Sequence, residues 1–109
     1  MPEHVLHSLA DYERVLQSPR VLLFKHSPVC PISAAARSEY DRWQRGRDVT
    51  TAFVDVIADR AIARGLAERC GVKHESPQAI LFEQGRAVWH ASHEAITQSS
   101  LEAAWSCGC

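Results

Sequence analysis

Cys30 is the residue of this sequence whose surroundings point most clearly to chemistry. It opens the run Cys30-Pro31-Ile32-Ser33, which follows a short apolar stretch, residues 21–25, that is typical of a buried strand. Pro31 suits the first position of a helix, where its missing N–H would have had no partner. Cys30 would then cap that helix, beside free N–H groups and the positive end of the helix dipole, which both favour thiolate over thiol. The pattern predicts a nucleophilic cysteine. The competing interpretation is a small buried hydrophobe in a loop that prolines shape.

Ser33 occupies the position at which a two-cysteine redox motif carries its second thiol. Its hydroxyl can donate a hydrogen bond to the Cys30 thiolate, but it cannot close a disulfide with that residue. We therefore predict that Cys30 and Ser33 are the catalytic residues of a single-thiol exchange reaction.

The elements around this run predict one α/β domain over residues 1–109. Helices are expected from Ser8 to Ser18, over 31–43, over 59–70 with Asp59 as its cap, and over 94–105, and strands over 21–25, 50–56, 79–83 and 86–91. A strand–helix–strand unit needs parallel pairing, and the two-residue link Gln84-Gly85 needs antiparallel pairing. We expect a central mixed four-stranded sheet flanked by helices on both faces, which is the thioredoxin-like architecture of glutaredoxins and thioredoxins.

Ser76-Pro77 is the second informative feature, because it directly precedes the predicted strand 79–83. Proline cannot donate to a sheet, so it belongs at the start of a strand. In thioredoxin-like folds a cis-proline at this position faces the reactive cysteine and exposes the backbone of the preceding residue to a thiol substrate. We predict a cis Ser76–Pro77 bond; the alternative is an ordinary trans-proline that ends a loop.

Composition excludes several classes of function. The 12 basic and 13 acidic residues give a net charge of −1, which leaves no electrostatic footprint for nucleic acid or an anionic membrane. Hydrophobic residues make up 46% of the chain, as in globular proteins, but the apolar runs are too short to span a bilayer. The first residues show no secretory pattern, so we expect a cytoplasmic protein.

Three segments together resemble the monothiol bacilliredoxin family. They are Phe24-Lys25-His26-Ser27-Pro28-Val29-Cys30-Pro31-Ile32-Ser33, His74-Glu75-Ser76-Pro77-Gln78, and Gly85-Arg86-Ala87-Val88-Trp89-His90-Ala91-Ser92-His93 with Ile96-Thr97. The resemblance covers most of the chain. It implies a thioredoxin-like oxidoreductase that removes bacillithiol from S-bacillithiolated client proteins, with Cys30 as the attacking residue, bacillithiol as co-substrate and no metal.

Bacillithiol carries a malate group, so cationic or donor groups should line its site. The expected substrate-binding residues are Lys25, Pro31, Ser76, Pro77 and His93; His26, His74 and Ser92 are further candidates for the same pocket. For each histidine the alternative is a solvated loop residue.

The other three cysteines leave several interpretations open. Cys107-Gly108-Cys109, a predicted flexible tail that departs from the family's pattern, could resolve the Cys30 adduct, bind a soft metal with Cys70, or be an incidental reactive end. For Cys70 a packing role is the better interpretation, and the same holds for Trp43, Trp89 and Trp105. Two other functions also stay open: a non-catalytic thioredoxin-like binding module, and an iron–sulfur carrier of the monothiol glutaredoxin type.

Overall fold

The computed structural model describes residues 3–107, and of Cys107 the backbone only. The strands are β1 (Glu3–Val5), β2 (Arg20–His26), β3 (Thr51–Asp55), β4 (Gln78–Glu83) and β5 (Arg86–Ser92). The helices are α1 (Leu9–Val15), α2 (Pro31–Gln44), α3 (Arg60–Cys70) and α4 (Gln98–Cys107), with a 3₁₀ turn at His93–Ala95 before α4. None of the helices in this part of the chain is both long and apolar enough to cross a membrane.

The sheet is mixed, as predicted, but it has five strands in the order β1-β3-β2-β4-β5. β1 and β2 run parallel to β3, whereas β4 runs antiparallel to β2 and β5 antiparallel to β4. The expected four-stranded sheet therefore lacked β1. A three-residue strand with two polar residues carries no recognisable pattern, and only its pairing with β3 makes it a strand.

Two apolar layers fill the opposite faces of the sheet. Along β2, Val21 and Leu23 pack into the layer under α1 and α3, while Leu22 and Phe24 pack into the layer under α2 and α4. This alternation is the two-residue period of a strand that is covered on both faces. Trp43, Trp89 and Trp105 all contact the second layer, which confirms their predicted packing role.

The hairpin between β4 and β5 is confirmed at its predicted turn. Gln84 and Gly85 both have positive φ, 53° and 79°, which is the geometry of a type I′ connection. Gly71, with φ 74°, closes α3 in the left-handed conformation, again as predicted.

Two helix starts differ from the sequence expectation. Asp59 stands at the cap position of α3, but its carboxylate makes no capping bond and instead lies 3.2 Å from His7 Nδ1. The predicted helix 94–105 begins only at Gln98, because Thr97 and Ser100 cap it reciprocally: each backbone N–H donates to the other side-chain oxygen at 3.0 Å. Ile96, buried before this cap, anchors the connection.

Candidate active site

Cys30 caps α2 at the end of the sheet where β2 leaves it. Its backbone is extended, with φ −107° and ψ 121°, and Pro31 is the first helical residue. The first helical bond runs from Ala34 N to Cys30 O at 3.1 Å. The N–H groups of Ile32 and Ser33 therefore have no carbonyl partner within α2, and the half-buried sulfur of Cys30 makes no capping bond itself. The predicted position at a helix N-terminus is confirmed.

The surface around Cys30 is apolar. Val29 is 77% exposed and Ile32 is 41% exposed, which is unusual for side chains of this size. Beside them lies an open groove of about 360 Å³ between α2 and the 3₁₀ turn. Its lining is mainly apolar, with Pro31, Ile32, Ala35, Ala36, His93, Ile96 and Thr97 together with the two carboxylates Glu39 and Glu94. The groove places apolar contact surface next to the candidate nucleophile.

Ser33 is wholly buried and is engaged away from Cys30. Its Oγ accepts a hydrogen bond from Ser27 N at 2.9 Å and lies 2.8 Å from His26 Nδ1. No hydrogen bond joins Ser33 to Cys30 in the part of the chain that the structure describes. The expected donation from Ser33 to the thiolate is therefore wrong for this arrangement, because Ser33 instead fixes the loop that leads into Cys30.

His26 is the last residue of β2 and is buried, so it does not line an open pocket as expected. Its ring lies 6.0 Å from the Phe24 ring and 5.6 Å from the Phe53 ring. Burial, followed by the positive charge of Arg37, lowers the pKa of His26. The imidazole is consequently neutral at pH 7.

The Ser76–Pro77 bond is cis, as predicted. Pro77 directly precedes β4, whose first residue Gln78 pairs with Lys25 near the end of β2. The cis-proline and Cys30 thus lie at the same end of two neighbouring strands. Ser76 Oγ is buried without a hydrogen-bond partner in the structure.

His93 links the cis-proline to the groove. Its backbone N–H donates to Pro77 O at 3.0 Å, and it adopts a positive φ of 56°. Its Nε2 lies 3.7 Å from Oε1 of Glu75, the residue that precedes Ser76 and the cis-proline in the chain. Pro31, Pro77 and His93 are therefore brought together as predicted, and Ser92 ends β5 just before them.

Lys25 does not line the substrate surface that the sequence suggested. Its side chain is wholly buried on the α3 side of the sheet, and its Nζ donates to Gln78 Oε1 at 2.9 Å. Gln78 in turn donates to Lys73 O at 3.1 Å, so the pair braces the loop that carries the cis-proline. Burial lowers the pKa of Lys25 to about 8.

His74 and Lys73 are exposed on that same loop, a few residues before Pro77. Partial desolvation, followed by the charges of Lys25 and Arg64, lowers the pKa of His74. The exposed Lys73 can meet a bound anion with its charge and His74 with a ring N–H, whereas the buried ammonium of Lys25 cannot.

Of the other cysteines, the structure describes the side chain of Cys70 only, and it is a free thiol like Cys30. Cys70 ends α3, is half-buried against the layer under α1 and α3, and donates weakly to Ala67 O at 3.9 Å. The packing role predicted for it is confirmed. Cys107, predicted as the start of a flexible tail, is the last residue of α4, and Gly108 and Cys109 lie outside the described residues. Among residues whose side chains are described, no three His, Cys, Asp or Glu residues gather as a metal site would require.

Sequence reasoning missed three parts of this site. The Lys25–Gln78 brace depends on the register between β2 and β4, and the His26–Ser33 contact depends on the path of the loop between them. The groove depends on the 3₁₀ turn His93–Ala95, which occupies the place where the sequence predicted the start of helix 94–105. Only the last carried a local signal, the Thr97–Ser100 pair, which is a recognisable capping pattern.

Solved proteins share this architecture across nearly the whole chain. One, described as having a thioredoxin fold, is 35% identical with a TM-score of 0.90, and covers 95% of this chain and 94% of its own. Fasciola hepatica thioredoxin is 16% identical with a TM-score of 0.75, covering 97% and 99%. A mutant thioredoxin of Halobacterium salinarum NRC-1 is 19% identical with a TM-score of 0.72, covering 92% and 84%. These likenesses establish the thioredoxin fold.

The family comparison is more specific than the fold. The model of the monothiol bacilliredoxin BrxC family matches residues 4–101, which include Cys30, the cis-proline, the groove and the first turn of α4. The match thus spans every element that positions the candidate site, and this chain, with its single cysteine at the start of α2, belongs to the monothiol bacilliredoxin BrxC family of thioredoxin-fold redox proteins.

Proposed function

We propose that this protein removes bacillithiol from S-bacillithiolated client proteins by thiol–disulfide exchange through Cys30. The observation that carries the proposal is the half-exposed Cys30 at the start of α2, where the N–H groups of Ile32 and Ser33 have no helical partner. Those groups and the helix dipole stabilise a sulfur anion, which is the nucleophile in this chemistry. Family membership supports bacillithiol as the thiol that is removed.

In the first step the Cys30 thiolate attacks the bacillithiol sulfur of the mixed disulfide. A new disulfide forms between Cys30 and bacillithiol, the original disulfide breaks, and the client sulfur leaves as a thiolate that takes a proton from water. No net oxidation occurs, because one disulfide replaces another. The client is reduced, and Cys30 holds the adduct.

In the second step another thiol must release the adduct. Ser33 has no sulfur, so α2 offers no internal partner for Cys30. We assign this step to free bacillithiol, which attacks the adduct, forms bacillithiol disulfide and returns Cys30 as the thiolate. Cys107 and Cys109 are the candidate resolving residues of the chain itself.

The two halves of the mixed disulfide require different neighbours. The groove beside Ile32 is apolar with two carboxylates, which suits an apolar side chain of the client and disfavours an anion. The loop before Pro77 exposes Lys73 and His74, which suit the malate of bacillithiol. Ser76 Oγ, buried without a partner, has hydrogen-bonding capacity that a bound substrate can use. The proposed contacts of the substrate remain Pro31, Ser76, Pro77 and His93. Lys25 supports them indirectly, by holding the loop that carries the cis-proline.

The reaction needs a reduced Cys30, and thiols are kept reduced in the cytoplasm. We therefore propose the cytoplasm as the place of action, with bacillithiolated proteins and bacillithiol as the partners.

The decisive experiment is a turnover assay on a bacillithiolated protein with excess bacillithiol. Wild type is expected to release the client thiol catalytically, and Cys30→Ser and Cys30→Ala are expected to release it no faster than bacillithiol alone. Cys70→Ser is the matched control and should retain the wild-type rate, because that cysteine packs elsewhere. Release by both Cys30 variants at the wild-type rate rules out the assignment.

The same preparations separate the alternatives. A stable adduct on Cys30 without turnover identifies a binding module, and a brown protein after anaerobic purification identifies an iron–sulfur carrier. The double variant Cys107→Ser, Cys109→Ser tests the resolving role: an unchanged rate of adduct clearance without added thiol removes it.

A further inference from the structure

His26 and Ser33 form a buried pair next to Cys30 that the proposed reaction does not use. Ser33 is wholly buried and His26 is 8% exposed. Their contact, 2.8 Å between Ser33 Oγ and His26 Nδ1, is as short as a good hydrogen bond to a hydroxyl. Ser27 N donates to the same oxygen at 2.9 Å.

The proton count of this cluster decides which atom donates. A backbone N–H can only donate, so Ser27 uses a lone pair of Ser33 Oγ. Burial lowers the pKa of His26, so its ring is neutral at pH 7 and Nδ1 can accept. Arg37, Asp41 and Asp55 are the charged groups that act on the ring, and the cationic one favours the neutral form. In the tautomer that carries the ring proton on Nε2, Nδ1 accepts the single hydroxyl proton of Ser33.

Ser33 would otherwise be within reach of Cys30. Cys30 is the cap residue of α2 and Ser33 is the third helical residue. In Cys-X-X-Cys redox motifs the side chains at these two positions come close enough to form a disulfide, so the spacing allows direct contact. A hydroxyl that donates to the sulfur stabilises its anion, so the thiolate fraction rises while each thiolate attacks more slowly.

We propose that His26, with its ring proton on Nε2, is a positioning residue that holds the Ser33 hydroxyl proton away from Cys30 and so preserves the intrinsic nucleophilicity of the Cys30 thiolate. The inference rests on the proposed function only in taking Cys30 as the attacking residue. His26 itself touches neither substrate nor the reacting sulfur, and it acts through Ser33.

The test is the pH dependence of Cys30 alkylation by iodoacetamide, followed by mass spectrometry of the Cys30 peptide in the full chain. His26→Phe removes the acceptor and keeps an aromatic ring against Phe24 and Phe53. It should free Ser33 to donate to Cys30 and lower the midpoint of the alkylation profile by about one pH unit, a tenfold change in the ionisation equilibrium. The plateau rate at high pH should fall about threefold.

Two further variants show whether the effect passes through Ser33. Adding Ser33→Ala to His26→Phe should restore the wild-type midpoint of the alkylation profile. Ser33→Ala alone should move that midpoint by less than about 0.3 units, because the hydroxyl does not donate to the Cys30 sulfur in the wild type. His26→Asn, whose side-chain oxygen can replace Nδ1 as acceptor, should keep the wild-type midpoint.

Two results overturn the proposal. One is a shift in His26→Phe that persists when Ser33 is also replaced, which would mean a general disturbance of the loop. The other is an upward shift of the alkylation midpoint by about one unit in Ser33→Ala alone, which would mean that Ser33 already donates to Cys30 in the wild type. This measurement tests the proposal even where His26→Phe does not fold. Alkylation needs no bacillithiol, so failure of the proposed turnover leaves these outcomes unchanged.

Discussion

Cys30 and Cys70 are both half-buried free cysteines at helix ends, yet their surroundings differ in nearly every chemical respect. Cys30 precedes α2, beside unpaired N–H groups and an apolar groove. Cys70 ends α3, its sulfur turned back to the carbonyl of Ala67 and packed against the layer under α1 and α3. The N-terminus of a helix favours a sulfur anion and the C-terminus disfavours one. Position in the fold, rather than residue type, separates the reactive thiol from the packing thiol.

The polar residues beneath the two cysteines extend this contrast. Near Cys30 the buried polar pair is His26 with Ser33, which is neutral at pH 7. On the α3 side the buried polar residue is Lys25, an ammonium held by the amide of Gln78. The buried polar groups near Cys30 are therefore an uncharged hydrogen-bonded pair, whereas the one on the α3 side is a charged ammonium that burial disfavours.

The largest expected effect is on the relative reactivity of the two thiols. At pH 7 iodoacetamide should modify Cys30 about tenfold faster than Cys70, because the N-terminus of α2 favours a sulfur anion and the C-terminus of α3 disfavours one. Site-resolved mass spectrometry over time measures both rates in one sample. In concentrated urea the helices are lost and the two rates should converge. Equal rates in the native protein would contradict the conclusion that Cys30 is the reactive thiol and Cys70 the packing thiol.

The second effect concerns Lys25 and pH. Its pKa in the folded protein is about 8, below the usual 10.5. The unfolded chain therefore binds more protons between these values, and the stability of the folded protein should rise with pH across that range. The rise should be about 2 kcal/mol between pH 7.5 and pH 9.5.

Urea unfolding at the two pH values measures this rise. Lys25→Met should lose most of it, while Lys73→Met, on the exposed surface of the neighbouring loop, should keep it. A wild-type slope that survives in Lys25→Met would place the titrating group elsewhere.

A smaller effect is expected for Ser33→Ala. The substitution leaves the N–H of Ser27 without its acceptor at a site where water has little access. The free energy of unfolding should fall by about 1.5 kcal/mol, the cost of a buried donor left unpaired. Ser38→Ala, at an exposed position of the same helix, is the control and should change stability little. Chemical denaturation at pH 7 measures both, and equal stability of the two variants would contradict the role given to Ser33.

The smallest effect is expected for Cys70→Ala. Because Cys70 is only half-buried, the loss of its sulfur should cost about 1 kcal/mol of unfolding free energy. The rate of Cys30 alkylation should not change. A slower Cys30 would show that the two thiols are coupled, and would contradict the separation between them.

Local patterns predicted the parts of the site that depend on neighbouring residues in the chain. Pro31 after Cys30 indicated the helix start, Ser76-Pro77 indicated the cis-proline at the strand entrance, and Gln84-Gly85 indicated the hairpin. They failed where a residue's environment comes from a distant segment. Lys25 looked like a pocket cation, because its burial depends on α3 and its partner Gln78 is 53 residues away.

The sequence by itself determined the order of the helices and strands from α1 to α4 and the thiol at the start of α2, because helix caps, turns and apolar periods act over a few residues. The tertiary structure alone decided that β1 joins the sheet, that Ser33 bonds to His26 instead of Cys30, and that a groove opens between α2 and the 3₁₀ turn. Those outcomes depend on strand register and on which side chains the packed layers exclude from water. Both are properties of contacts between distant parts of the chain, and no short stretch of residues records them.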